Sequence, residues 1–217
     1  TLAVYPANLA PHPWPYPYPM DREAGIEAYQ AMITAKEDKF KLEKGDTDHI
    51  HNYKIPNDAP VISVIVSKVE KMTDLVTKYE FSHPDGSDLP EWTAGSHIDI
   101  VVVPEFLRPY SMSGNPRDRS KYQIGVLLES NGRGGSKMLQ RIFTPGRKIF
   151  ISKPINHFGL TDNAKKTYLF GGGIGITPML AFAHHLHETN KDFVMHYSAS
   201  SEHEAGFIND LKTAPWF

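Results

Sequence analysis

The spacing of apolar positions changes character along this chain. From Ala59 to Ser152 it runs largely at period two, the mark of strands with one buried face. Val61–Val66 and Leu75–Phe81 read as strands, followed by an Asp85-Gly86-Ser87 turn. His97–Val103 is a third strand, entered through Ala94-Gly95 and ended by Pro104. Arg108–Met112 is a fourth and Tyr122–Glu129 a fifth. A short helix is expected over Lys137–Phe143, and a sixth strand over Lys148–Ser152 after Pro145-Gly146. Six evenly spaced strands with one capping helix predict a small antiparallel barrel.

Past Pro154 the grammar is different. Thr167–Phe170 is a short apolar strand. The run Gly171-Gly172-Gly173-Ile174-Gly175 turns the chain into a helix expected over Met179–Glu188, and Phe193–Tyr197 is the next strand. Strand, helix and strand in this order predict a parallel sheet. From Lys165 onward there is room for about two strands and two helices, against the ~100–150 residues of a usual domain, so this α/β unit reads as incomplete.

Residues 1–57 fit neither pattern. Pro11-His12-Pro13-Trp14-Pro15-Tyr16-Pro17-Tyr18-Pro19 alternates proline with aromatic rings and predicts extended, polyproline-like backbone. Trp14, Tyr16 and Tyr18 are candidate anchors for a partner, the other reading being a leader or linker. A helix is expected next, N-capped by Asp21 and stopped by Gly45. The expected class is therefore α+β: an arm and helix over 1–57, suited to docking a partner, a six-stranded antiparallel barrel over 58–160, and the first part of an α/β unit over 161–217.

Composition narrows the functions open to such a chain. Of its 217 residues 40% are hydrophobic and 22% charged, enough for a packed core. The net charge of −2 argues against a nucleic-acid binder. There is no cysteine, which excludes disulfides, thiolate zinc sites and any iron–sulfur cluster ligated within these residues. No apolar run reaches the ~20 residues that span a membrane, and no signal-peptide pattern is present, so the expectation is a soluble cytoplasmic chain. The chain opens on Thr1 and closes on the apolar Pro215-Trp216-Phe217, which suggests a polypeptide that continues or is covered by another chain. His49 and His51, and His184, His185 and His187, are close enough in sequence to raise a metal reading. Solvated loop histidines and a basic helix end explain them better, and no metal site is expected.

Two stretches carry the candidate chemistry. The first joins Arg108-Pro109-Tyr110-Ser111 to Ser130-Asn131-Gly132-Arg133-Gly134-Gly135-Ser136 across one strand. Arg108 or Arg133 offers a planar fork of donors, Tyr110 a ring to stack on, Ser111 a hydroxyl, and the glycines an exposed helix start for a phosphate. A ligand with a flat aromatic part and a phosphate would use all of them. The second is Gly172-Gly173-Ile174-Gly175-Ile176-Thr177-Pro178, where a dinucleotide pyrophosphate can approach the backbone at a helix start.

In this order and at these distances, the motifs resemble ferredoxin reductase-like flavoproteins, in particular the branch of phthalate dioxygenase reductase and vanillate O-demethylase reductase. Trp92-Thr93-Ala94-Gly95-Ser96-His97-Ile98-Asp99 and Pro154-Ile155-Asn156-His157-Phe158 add to the resemblance, which covers about residues 59–217. The resemblance implies an FMN-binding barrel (FAD being the less expected flavin), an NADH-binding domain, and a 2Fe–2S ferredoxin domain absent from these residues. It implies an NADH-dependent flavoprotein oxidoreductase that passes electrons through FMN and the cluster to a terminal oxygenase. On that reading Arg108 holds the flavin phosphate or a neighbouring polar edge, Tyr110 packs on the isoalloxazine, and Ser111 bonds near N5, with Val126 and Leu127 lining the flavin. Gly134, Gly135 and Ser136 cradle the phosphate, and Gly132 and Arg133 beside them are also cofactor-binding. Gly172, Gly173, Gly175, Thr177 and Pro178 face the nicotinamide nucleotide, and Tyr110, Ser111 and Thr177 are the candidate catalytic residues. Relatives often carry a basic residue at Leu127 or Leu128, and both are apolar here. After Tyr197 the chain reads Ser198-Ala199-Ser200-Ser201-Glu202, without an arginine for a 2′-phosphate, which favours NADH over NADPH. A stand-alone flavin reductase and a scaffold subunit of an oxygenase assembly are the alternatives.

Overall fold

A computed structural model describes residues 61–103, 106–129, 135–161, 163–201 and 204–217. The proline–aromatic arm and its helix, His49, His51, Gly132, Arg133 and Gly134 lie outside the described residues.

Seven of the strands form one antiparallel sheet: β1 (Val61–Lys71), β2 (Val76–Ser82), β3 (Ser96–Val103), β4 (Phe106–Ser111), β5 (Tyr122–Leu127), β6 (Lys148–Ser152) and the two-residue β7 (Ile155–Asn156). Their spatial order is β4-β3-β6-β1-β2-β5, with β7 paired to β3. The sheet curls until its two ends meet at a single bridge, Met112 to Ile124, with the Ser113 amide donating to the Gln123 carbonyl at 2.8 Å. The result is the six-stranded barrel expected, nearly closed. Strand β1 runs five residues beyond the apolar Val61–Val66. Its first half pairs with β6 and its second with β2, and the register shifts between Val66 and Lys68. A bulge of this kind bends a strand round a barrel corner.

Alternation fills the inside. Phe81, Ile98, Ile100, Ile124 and Val126 are fully buried. Helix α1 (Gly135–Ile142) plugs one end with Leu139 and Ile142, and the following Phe143 meets Tyr79 and Phe81 edge-on at 6.2 and 6.4 Å between ring centres. Such aromatic packing adds about 0.5–1.5 kcal/mol per pair beyond area burial.

Strands β8 (Thr167–Gly172) and β9 (Phe193–Ser198) pair in parallel, joined by a 3-10 turn at Gly173–Gly175 and helix α2 (Ile176–Glu188). Helix α2 starts three residues earlier than its apolar period suggests, because Pro178 sits in the first turn, where a missing N–H costs nothing. A last short helix, α3, spans Ile208–Lys212.

Helix α2 lies along the barrel and is tied to it repeatedly. At its start, Thr177 abuts Gly125 of β5. In its middle, Phe182 meets Phe158 at 5.2 Å, and the Phe158 carbonyl, with the Phe182 ring behind it, leaves no space for a side chain at Gly95, whose φ is +92°. At its end, the Glu188 carboxylate takes a hydrogen bond from Asn115 at 2.6 Å and pairs with Arg117 at 2.8 Å. Below α2, the Lys78 ammonium on β2 meets Asp210 of α3 at 2.9 Å and Glu70 at 3.2 Å. Barrel and α/β residues thus share one continuous apolar core. His184 and His187 pack against the Trp216 ring at 4.4 and 6.0 Å, which gives the histidine-rich helix end a structural use. Among the described residues no helix is long and apolar enough to cross a membrane.

Candidate active site

The site begins as a defect in the barrel wall. Strands β4 and β5 are the two ends of the sheet, and among the described residues the only β-bridge between these ends is Met112–Ile124, just past β4. Beyond that bridge, among the described residues, no ladder joins Arg108–Ser111 to Gly125–Leu127, so a seam without backbone pairing runs between the strands. A flat ligand entering it meets two backbone edges whose polar groups the sheet does not use.

Residues predicted from sequence line this seam. Tyr110 and Arg108 share a face of β4, because they pair with the core residues Ile98 and Ile100 of β3. Ser111 pairs with His97 and so projects to the other side. On the β5 side stand Val126, fully buried, and Leu127, half-buried. Burial holds the Tyr110 phenol well above its usual pKa, with Arg108 opposing, so it stays neutral and presents a ring and a hydroxyl.

One end of the seam is a polar corner. The Arg108 guanidinium lies directly over Gly135, the first residue of α1: a β-carbon there would fall 2.8 Å from its Nε and 3.3 Å from its Cζ. Only glycine lets the arginine reach across the helix start. Ser136 follows, its hydroxyl accepting a hydrogen bond from the Glu129 amide at 3.2 Å, which closes the loop leaving β5 onto the helix. An arginine fork beside a helix start, where the first N–H groups have no acceptor within the helix, suits a phosphate.

The second predicted cluster sits at the carboxyl end of β8. Gly172 and Gly173 are exposed, with Gly173 at φ +51°, while Gly175, Thr177 and Pro178 are buried. Neither Gly172 nor Gly175 can offer a side-chain cap, so the N–H groups that open the 3-10 turn are left for a ligand, whereas the Ile176 amide at the start of α2 already donates to the Gly173 carbonyl. Gly171 carries no side chain because Ile176 Cδ1 is 2.8 Å from where its β-carbon would be, which makes the turn tight. The Thr177 hydroxyl donates to the Ile174 carbonyl at 2.9 Å, and its methyl faces Gly125. Since Gly125 lies next to Val126, the glycine turn is docked beside the seam.

Sequence reasoning missed several residues here. Gly125 was legible in principle, as a lone glycine inside a strand marks close approach. Phe207 was not, since nothing local announces a phenylalanine with φ +69°. His97 beside Ser111 follows from register alone. Burial and the neighbouring His157 push its pKa down to about 4, so it is a neutral imidazole.

No family model matches the chain. Among solved structures, phthalate dioxygenase reductase superposes with a TM-score of 0.69 at 31% identity, over 72% of this chain and 49% of that one. The fold is therefore that of the ferredoxin reductase-like flavoproteins. Among curated relatives, the vanillate O-demethylase oxidoreductase of a Pseudomonas species is 38% identical over 152 residues, 70% of this chain and 48% of the relative. The carnitine monooxygenase reductase subunit of Escherichia coli is 35% identical over 162 residues, 73% of this chain and 50% of the relative. The chain is thus a homologue of phthalate dioxygenase reductase and the vanillate O-demethylase oxidoreductases, and it spans about half the length of the relatives it matches.

Proposed function

We propose that this chain holds the flavin-binding barrel and the first part of the NADH-binding unit of an oxygenase reductase, an NADH-dependent flavoprotein oxidoreductase. The observation that carries the reading is the unpaired seam between β4 and β5. It has Arg108, Gly135 and Ser136 at one end, and the glycine turn docked beside it through Thr177 and Gly125.

The residues fit flavin mononucleotide. The corner at Arg108 suits a phosphate, and a β-carbon at Gly135 would fill the space the guanidinium occupies. Bound there, a flavin exchanges electrons in pairs with a nicotinamide and singly with an iron–sulfur acceptor. Arg108 offers its donor fork to the terminal phosphate, and the start of α1 adds N–H groups. The neutral Tyr110 ring packs flat surface against flat surface, and Ser111 offers its hydroxyl to a ring edge. Val126 and Leu127 keep water from one side of the seam. The N–H groups at Gly173–Gly175 receive the pyrophosphate of NADH. The relatives that share this fold are named as reductases of oxygenase and demethylase systems. The partner proposed here is accordingly a terminal oxygenase, reached through a 2Fe–2S centre. With no cysteine among these 217 residues, the thiolates of that cluster lie outside them.

An absorption spectrum of the natural full-length protein, followed by anaerobic addition of NADH, tests the proposal. Flavin bands that bleach on addition of NADH support it. Bands that do not respond to NADH or NADPH would remove the nicotinamide reading, and failure to bind added FMN or FAD would remove the flavin reading. A flavin that bleaches but passes no electrons to a cluster or ferredoxin would indicate a stand-alone flavin reductase.

A further inference from the structure

The outward face of β5 carries Gln123, Gly125 and Leu127, opposite the buried Tyr122, Ile124 and Val126. The gap at Gly125 is filled from the α/β side. A β-carbon there would lie 2.7 and 2.8 Å from Cε2 and Cζ of Phe207 and 2.8 Å from Cγ2 of Thr177. Phe207 is 1% exposed and sits at φ +69°, a region that residues bearing a β-carbon rarely adopt. Its surroundings hold it there. The Tyr197 hydroxyl donates to the Gly206 carbonyl at 2.8 Å, Gly206 presses on Val76 of β2, and the Leu211 amide donates to the Phe207 carbonyl at 2.9 Å. A strained residue so firmly determined by its neighbours points to a task beyond filling space.

The place of the ring shows that task. On one side it touches the backbone of β5 one residue before Val126, which lines the seam. On the other it shares the Gly125 gap with Thr177, which opens α2 directly from the glycine turn. The turn and the seam are thus referred to each other through one rigid aromatic group.

We propose that Phe207 is a positioning residue: its ring, wedged at Gly125, sets the spacing between the glycine turn that receives the nicotinamide dinucleotide and the seam that receives the flavin. This rests on the function proposed above. Spacing matters because reaction between two bound groups falls steeply with misplacement, by about 100-fold for ~1 Å.

The test uses the natural full-length protein loaded with FMN, with Gly125→Ala, Phe207→Leu and the double variant. Three quantities are read: the FMN dissociation constant, the rate of flavin reduction at saturating NADH, and the long-wavelength charge-transfer absorbance when NAD+ is added to the reduced protein. In every variant FMN affinity is expected to stay within about twofold of wild type. Gly125→Ala is expected to slow reduction by about 10- to 100-fold and to erase the charge-transfer band, because its methyl collides with the ring. Phe207→Leu is expected to slow reduction less. The double variant, in which leucine makes room for the methyl, is expected to recover part of both signals. A folded Gly125→Ala protein with wild-type rate and band overturns the proposal, and so does a double variant with no recovery. If Gly125→Ala fails to fold, Phe207→Leu decides alone, and a wild-type rate and band there overturn it. A wild-type protein that binds FMN yet is not reduced by NADH or NADPH instead overturns the functional reading, and this inference with it.

Discussion

The barrel and the parallel strand pair are built on opposite terms. In the barrel every described interior position of β2, β3 and β5 is sealed, and six strands return to within one bridge of closure. The parallel pair buries one face only. Leu169 and Gly171 turn toward α2, whereas Tyr168 is 58% and Phe170 67% exposed on the other side. There Phe170 stacks on His196 at 4.9 Å and Lys166 reaches over Tyr168 at 5.8 Å. The barrel can hold a group in a fixed frame because its own strands and α1 seal most of its interior. The strand pair takes its order from the barrel, through Thr177 and Gly125, Phe182 and Phe158, and Glu188 with Asn115 and Arg117. On the function proposed above this division has a use, since a ligand held permanently needs a rigid frame, and one that comes and goes needs a region of lower local stability.

The largest expected effect would break the comparison at the barrel. Phe81 is fully buried among Tyr79 and Phe143, so Phe81→Ala should cost about 3–5 kcal/mol in urea denaturation. A cost under about 1 kcal/mol would mean that the barrel is not the stable half.

Next comes a test of pH. Burial pushes the Asp99 carboxyl up to about 6, above the ~3.9 of an unfolded aspartate. Folding therefore favours the protonated form. The penalty is absent below the unfolded value, grows as pH rises from about 4 to about 6, and stays constant above. Asp99→Asn should raise stability at pH 8 by up to about 3 kcal/mol, and by almost nothing at pH 4. His97 acts in the opposite sense. With its pKa lowered to about 4, it costs stability as pH falls from ~6.5 toward that value. Urea titrations of Asp99→Asn and wild type at the two pH values decide the matter, and an equal difference at both would contradict the buried carboxyl.

Arg108→Ala should weaken FMN binding by about 10- to 100-fold, the worth of a hydrogen bond to a charged group. Gly135→Ala should act in the same direction, because its methyl displaces the guanidinium. Fluorescence titration of FMN checks both, and unchanged affinity in Arg108→Ala would move the phosphate elsewhere. A smaller effect belongs to the seat of the α/β unit. The Lys78 side chain is 8% exposed, but its partners Asp210 and Glu70 are 30% and 38% exposed and keep contact with water when it is removed. Lys78→Met should therefore cost only about 1–2 kcal/mol, toward the lower end for broken ion pairs of limited burial. Smallest of all, Phe170→Ser on the open sheet face should change stability by no more than about 0.5 kcal/mol. A much larger loss in thermal unfolding would show that this face is covered.

Much of this architecture was legible before any coordinates. Period-two runs found β1 to β6, since alternation depends only on which residues can face an apolar interior. Arg108, Tyr110 and Ser111 stood out because their side-chain chemistry is distinctive at any register. The start of α2 was misplaced because Pro178 reads as a breaker unless it is known to lie in a first turn. The two-residue β7 was missed because it has no period of its own and exists only through pairing with Ser96 and His97.

The sequence by itself determined the antiparallel-then-parallel order of the fold, the glycine-rich turns, and the set of groups able to meet a phosphate, a flat ring and a pyrophosphate. These properties reside in residues near one another along the chain, where backbone dihedrals, turn chemistry and side-chain type decide the outcome. The tertiary structure alone decided where the barrel wall lacks backbone pairing, why Gly125 is a glycine, that Phe207 wedges against it, and that Lys78 is buried against Asp210, 132 residues away. Register and close approach arise when distant segments compete for the same space, and no local pattern encodes which of them will meet.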